Sequence, residues 1–119
     1  MKHRILVMDD DHDVLEAMSI VLKSGGYAVT TATSGQVALD RLHQGLKPSL
    51  IVLDLMMSGM NGWQFMAELH KDASLARIPL IIVSGGGYPA GEIDALGAVG
   101  YLKKPFDVST IYSMVEKYI

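Results

Sequence analysis

The chain has no cysteine among its 119 residues, which excludes disulfides and thiolate metal sites. No apolar run approaches the roughly 18 residues that a membrane span needs. The start, MKHRILVMDD, has too short an apolar stretch for a signal peptide. Positive charge is not in excess: ten Lys and Arg against thirteen Asp and Glu leave a net charge of −3, which argues against a broad nucleic-acid footprint or an anionic-lipid patch. Internal repeats, low-complexity tracts and linkers are absent too, and the length leaves no room for a second catalytic or DNA-binding domain. What is present is core. At 50% hydrophobic and 19% charged, the composition is that of a single globular domain burying about two-thirds of its unfolded surface. A cytoplasmic domain spanning residues 1–119 is the expectation.

Short aliphatic runs alternate with amphipathic segments, the pattern of βαβ units on a parallel sheet. Strands are predicted at Arg4 to Met8, Ala28 to Ala32, Leu50 to Leu55, Leu80 to Val83 and Gly100 to Leu102. The first, third and fourth are nearly continuous apolar runs, which places them at the sheet centre with both faces covered. Val14, Leu15, Met18, Val21 and Leu22 form one helical stripe that ends at Gly25 and Gly26. Ser34 is placed to cap a second helix burying Ala38, Leu39 and Leu42, and Asn61 to cap a third carrying Phe65, Met66 and Leu69. A short fourth helix is expected between Ala90 and Leu96, and a last one from about Val108 to the C-terminus places Ile111, Met114, Val115 and Tyr118 on one face.

In an open parallel sheet, ligands bind beyond the carboxyl ends of the strands. Strand one runs into Asp9, Asp10 and Asp11, strand three ends at Asp54, strand four delivers Ser84, and strand five leads to Lys103, Lys104 and Pro105. All the candidate chemistry therefore falls on one edge. Carboxylates gathered there raise one another's pKa unless a cation intervenes. An oxygen-only ligand set without His or Cys suits Mg²⁺. Three carboxylates (Asp9, Asp10, Asp54) against one divalent ion and one lysine sum to zero charge. Asp11 reads as a helix cap, and His12, on the first helical turn, points to water.

These motifs resemble the receiver domain of response regulators, the CheY-like phosphoacceptor module of two-component signalling. The likeness runs the full length, carried by Asp9-Asp10 after ILVM, Asp54 in IVLDLMMSGMNGW, Ser84 in LIIVSGG and Lys104 in GYLKKPF. It implies a flavodoxin-like (βα)5 fold of strand order 2-1-3-4-5 with helices on both faces. Asp54 would take a phosphoryl group from a phosphohistidine on a sensor histidine kinase or phosphotransfer protein, becoming 4-aspartylphosphate. Asp9, Asp10, Asp54 and the backbone carbonyl of Met56 would ligate Mg²⁺, with Mn²⁺ able to substitute. Lys104 would pair with Asp54 before transfer and with a phosphoryl oxygen afterward, and the Lys104–Pro105 bond would be cis. Ser84 and Tyr101 would form the switch pair. Reversing a 1:99 population takes about 5.5 kcal/mol, which charge-assisted bonds of about 1.5–3 kcal/mol each from Ser84 and Lys104 together approach. On this likeness the domain catalyses only its own phosphorylation and dephosphorylation.

The resemblance also implies a partner or dimer surface on the fourth helix, fifth strand and fifth helix, including Tyr101 and Tyr112. No output domain is expected in this chain, so its effect passes to a downstream protein or to a further domain of a longer regulator; no direct contact with nucleic acid or membrane is expected. Ser58 stands where the family has proline, and Gly85-Gly86-Gly87 after Ser84 adds conformational freedom. Three competing readings remain: a flavin mononucleotide binder, whose phosphate Asp9, Asp10 and Asp11 would repel; a Mg²⁺-dependent aspartyl phosphatase, which leaves Asp54 unexplained; and a receiver-like scaffold that is never phosphorylated.

Overall fold

The computed structural model describes residues 3–57, 59–85 and 97–119. Five parallel strands, β1 (Arg4–Met8), β2 (Ala28–Ala32), β3 (Leu50–Asp54), β4 (Leu80–Ser84) and β5 (Gly100–Lys103), form one sheet in the order β2-β1-β3-β4-β5. The three expected central strands are central. Helices α1 (His12–Ser24), α2 (Gly35–His43), α3 (Gly62–His70) and a C-terminal helix (Val108–Tyr118) flank it. The fourth helix expected between Ala90 and Leu96 lies outside the described residues. Among the described residues no helix is long and apolar enough to cross a membrane.

Because successive strand residues point to opposite faces, the apolar runs feed two separate cores. Leu6, Met8, Ile51, Leu53, Leu80 and Ile82 pack with Leu39 and Leu42 of α2 and Phe65 and Leu69 of α3. Ile5, Val7, Leu50, Val52, Ile81 and Val83 pack on the other face with Leu15 and Leu22 of α1 and Ile111 and Val115 of the C-terminal helix. A continuous apolar strand is therefore required wherever helices cover both faces.

The helix ends follow local chemistry. Asp11, Ser34, Asn61 and Asp107 each accept a backbone N–H from the first turn that follows. Asn61 and Gln64 complete a reciprocal capping box. After α1, Gly26 adopts φ 94°, a left-handed conformation that only glycine takes without strain. Tyr112 of the C-terminal helix donates its hydroxyl to the Val21 carbonyl at 2.6 Å, and its ring crowds Gly25. The phenol end of Tyr112 is thus committed to α1. A short 3₁₀ turn, Leu75–Arg77, precedes β4 and had no periodic signal in the sequence.

Candidate functional site

Strand register decides which carboxylates meet. Met8 pairs with Leu53, so one further residue on each strand brings Asp9 level with Asp54, and Asp54 in turn pairs with Val83. Alternation puts Asp9 on the face of Ile5 and Val7, and Asp54 on the face of Leu50 and Val52. Leu102 belongs to that same face, and two residues later so does Lys104. One carboxyl-end corner of the α1 side of the sheet thereby collects two acids and a base.

Asp9 and Asp54 are buried, whereas Asp10 is exposed at the rim. Asp9, Asp10 and Asp54 each offer a carboxylate oxygen within 4.8 Å of the others, and among the described residues this trio is the one acidic group with metal-binding spacing. Its oxygen-only donors suit a hard divalent cation such as Mg²⁺. His12 is exposed and stands outside the group.

The Lys104 ammonium donates to Asp9 Oδ2 at 3.0 Å and to Asp54 Oδ2 at 3.4 Å. The expected Asp54 partner is therefore real but secondary, and the closer partner is Asp9. The remaining oxygens are held by amides: Asp11 N–H donates to Asp9 Oδ1 at 3.0 Å, and Met56 N–H to Asp54 Oδ1 at 3.0 Å. Behind the acids lie Val7, Val52, Val83 and Phe106, an apolar backing that removes water from them. Burial accordingly pushes the Asp54 carboxyl above its ordinary range; the Met56 amide opposes this, the Asp9 charge adds to it, and Lys104 counteracts it. Burial pushes the Lys104 ammonium down, but the bond to Asp9 and the Asp54 and Asp9 charges outweigh it and leave the group raised.

Ser84 is fully buried at the end of β4, and its carbonyl accepts the Lys104 N–H at 2.9 Å. Tyr101, opposite Ile82, is half-buried and packs on the α2–α3 core. The Lys104–Pro105 peptide is cis. Of the methionines after Asp54, Met57 is buried, Met60 packs against Gly35 and Met56 is exposed. Ser58, Gly86 and Gly87 lie outside the described residues. The role of Phe106 behind the acids and of the Asp11 amide in front of them was not read from the sequence; both depend on the path of the chain after the strand ends.

Comparison with known proteins gives a consistent result. The family described as "Response regulator receiver domain" matches residues 5–116. Protein PilH of Pseudomonas aeruginosa is 34% identical over 117 residues, covering 95% of this chain and 94% of that protein. The regulator RpaA of Synechocystis, described as a DNA-binding dual master transcriptional regulator, is 36% identical over 115 residues, covering 95% of this chain and 47% of its own length. The chain spans about half the length of the first curated relatives it matches. Among solved structures, the chemotaxis protein CheY4 of Vibrio cholerae superposes with a TM-score of 0.91 at 25% identity over the whole of both chains. A putative response regulator from Chloroflexus aurantiacus gives 0.90 at 28% identity, covering 99% of this chain and 98% of that one.

Proposed function

The chain belongs to the response regulator receiver family of two-component signalling, and from that premise we propose that Asp54 is its phosphoacceptor and that Asp9, Asp10, Asp54 and the Met56 carbonyl hold the divalent cation. The observation that carries this reading is the convergence of three carboxylates at the strand ends, two of them, Asp9 and Asp54, bonded to one lysine. A carboxylate oxygen of Asp54 attacks the phosphorus of a phosphohistidine; the O–P bond forms, the P–N bond breaks, and the imidazole leaves with the electron pair. Mg²⁺, when bound, supplies positive charge to the transferring phosphoryl oxygens.

Attack needs the ionised form of Asp54, which burial opposes. Lys104 and the Met56 amide favour that form, and the bound cation adds to them. After transfer, the Lys104 ammonium is within reach of a phosphoryl oxygen, where a point charge suffices. The Ser84 hydroxyl, buried at the end of β4, donates to another. Tyr101 forms the switch pair with it. The phosphorylated state shifts an existing equilibrium only by its differential contacts with the two states.

The partners are a sensor histidine kinase or phosphotransfer protein on the input side and a downstream protein or attached domain on the output side. The domain's chemistry is limited to acquiring and losing its own phosphoryl group. The surface of β5 and the C-terminal helix, with Tyr101, is the reading for partner or self-association. The Tyr112 hydroxyl is turned to α1, where it donates to the Val21 carbonyl.

Intact-mass measurement after acetyl phosphate treatment tests the assignment. Wild type gains one phosphoryl group only with Mg²⁺, and Asp54→Asn gains none. An unchanged wild-type mass would favour the unphosphorylated scaffold.

A further inference from the structure

We propose that Asp11 is a positioning residue for the Asp9 carboxylate, acting through the start of α1 and so setting the affinity of the acidic group for its divalent cation; this rests on the metal reading above. Asp9 is fixed at three points. Its N–H donates to the Ala32 carbonyl of β2 at 3.2 Å, its Oδ2 accepts from Lys104, and its Oδ1 accepts from the Asp11 N–H at 3.0 Å. The first follows from sheet pairing. The second is movable, because Lys104 also reaches Asp54 and its side chain is partly solvent-exposed. The third depends on how the Asp11 peptide is oriented.

That orientation is set by Asp11's own carboxylate. Its Oδ1 accepts the Asp13 N–H at 2.9 Å and the Val14 N–H at 3.4 Å, and its carbonyl accepts the Leu15 N–H at 3.1 Å. The cap holds the extended backbone (φ −92°, ψ 112°) from which the Asp11 amide faces back to Asp9. Without it the first-turn N–H groups return to water and the helix start frays. The Asp11 amide then loses its fixed direction, and Asp9 must be ordered when the cation binds. A ligand ordered beforehand binds more tightly than one ordered on binding. Asp11 itself is exposed and stands outside the acidic trio, so its action is indirect.

Charge and cap can be separated. Asp11→Asn and Asp11→Ser remove the charge but retain a capping oxygen, whereas Asp11→Ala removes both. Mg²⁺ titrations followed by amide NMR shifts on each folded variant give Kd and report the Asp11-position N–H directly. The expected result is a Kd for Asp11→Ala at least threefold weaker than for Asp11→Asn, Asp11→Ser within twofold of Asp11→Asn, and an upfield shift of the residue-11 amide in Asp11→Ala alone as its bond to Asp9 loosens. Equal Kd values for the Ala and Asn variants would overturn the proposal, even if Asp11→Ala melts at a lower temperature, because that would be a cap with no bearing on Asp9. If wild type itself shows no Mg²⁺-dependent shifts at residues 9, 10 and 54, the metal reading falls first.

Discussion

Asp54 is held where its chemistry is useful and its charge is uncomfortable. Its folded pKa is raised, chiefly by burial, so the native state binds the acidic proton more tightly than the unfolded chain does. By linkage, this destabilising contribution is absent below the ordinary carboxylate pKa, grows as pH rises toward the folded value and is full above it. Asp54→Asn keeps an oxygen for the Met56 N–H while removing the buried charge. In metal-free buffer it should raise stability and Tm at pH 7, with the difference shrinking as pH falls through the ordinary carboxylate range. Urea unfolding across pH checks this; a variant less stable than wild type at pH 7 would mean that Lys104 more than compensates for burial. The cap residue Asp107 has the opposite sign. Its carboxyl is held down first by the Thr110 hydroxyl, then by the Thr110 amide, so its contribution is present at neutrality and lost on acidification. Asp54 was visible in the sequence as an acid closing an apolar run. The preference of Lys104 for Asp9 was not, because two acids one strand apart offer a lysine nearly equal targets until side-chain paths are known.

At the scale of elements, α3 aims the segment that follows Asp54. The Gly62 N–H donates to the Leu55 carbonyl at 3.0 Å, and a Cβ at Gly62 would lie 2.6 Å from Leu55 Cδ2 and 2.8 Å from its Cα. The second of these is backbone and cannot rotate away. Gly62→Ala therefore forces α3 from the end of β3, and overpacking of this kind costs about 1–3 kcal/mol, against a gain of up to about 1 kcal/mol in helix propensity. Net destabilisation is expected, read as a lower urea midpoint with an unchanged slope; a variant as stable as wild type would show that α3 is not seated on Leu55. Caps and apolar stripes made α1, α2 and α3 readable from sequence, and the C-terminal helix was readable from its apolar face alone, its Asp107 cap being seen only in the structure. The Leu75–Arg77 turn is too short to have a period, and the Tyr112 bond to Val21 joins elements distant in the chain.

For the whole molecule, the fold concentrates negative charge at one corner of an already acidic chain. A divalent cation that binds only the folded corner stabilises the domain by mass action, about 2.7 kcal/mol at one hundred times Kd. Mg²⁺ should therefore raise Tm relative to a chelator control. Lys104→Met leaves Asp9 and Asp54 without their resident cation, so the metal-free variant should be less stable than wild type by about 1–3 kcal/mol, below the full figure for a buried pair because Lys104 is partly exposed. Mg²⁺ should then restore part of that loss and give a larger rise in Tm than in wild type. Equal rises in both proteins would show that lysine and metal do not share these carboxylates.

The amino-acid sequence by itself determined the βα alternation, the central strands, the caps and the gathering of acids, hydroxyl and lysine at strand ends, because periodicity, capping and turn chemistry are local. Tertiary structure alone decided that Asp9 stands level with Asp54, that Lys104 shares their face and turns first to Asp9, and that valines and Phe106 strip water from the pair. Those outcomes depend on inter-strand register and on which sheet face each side chain takes, quantities that no single segment contains.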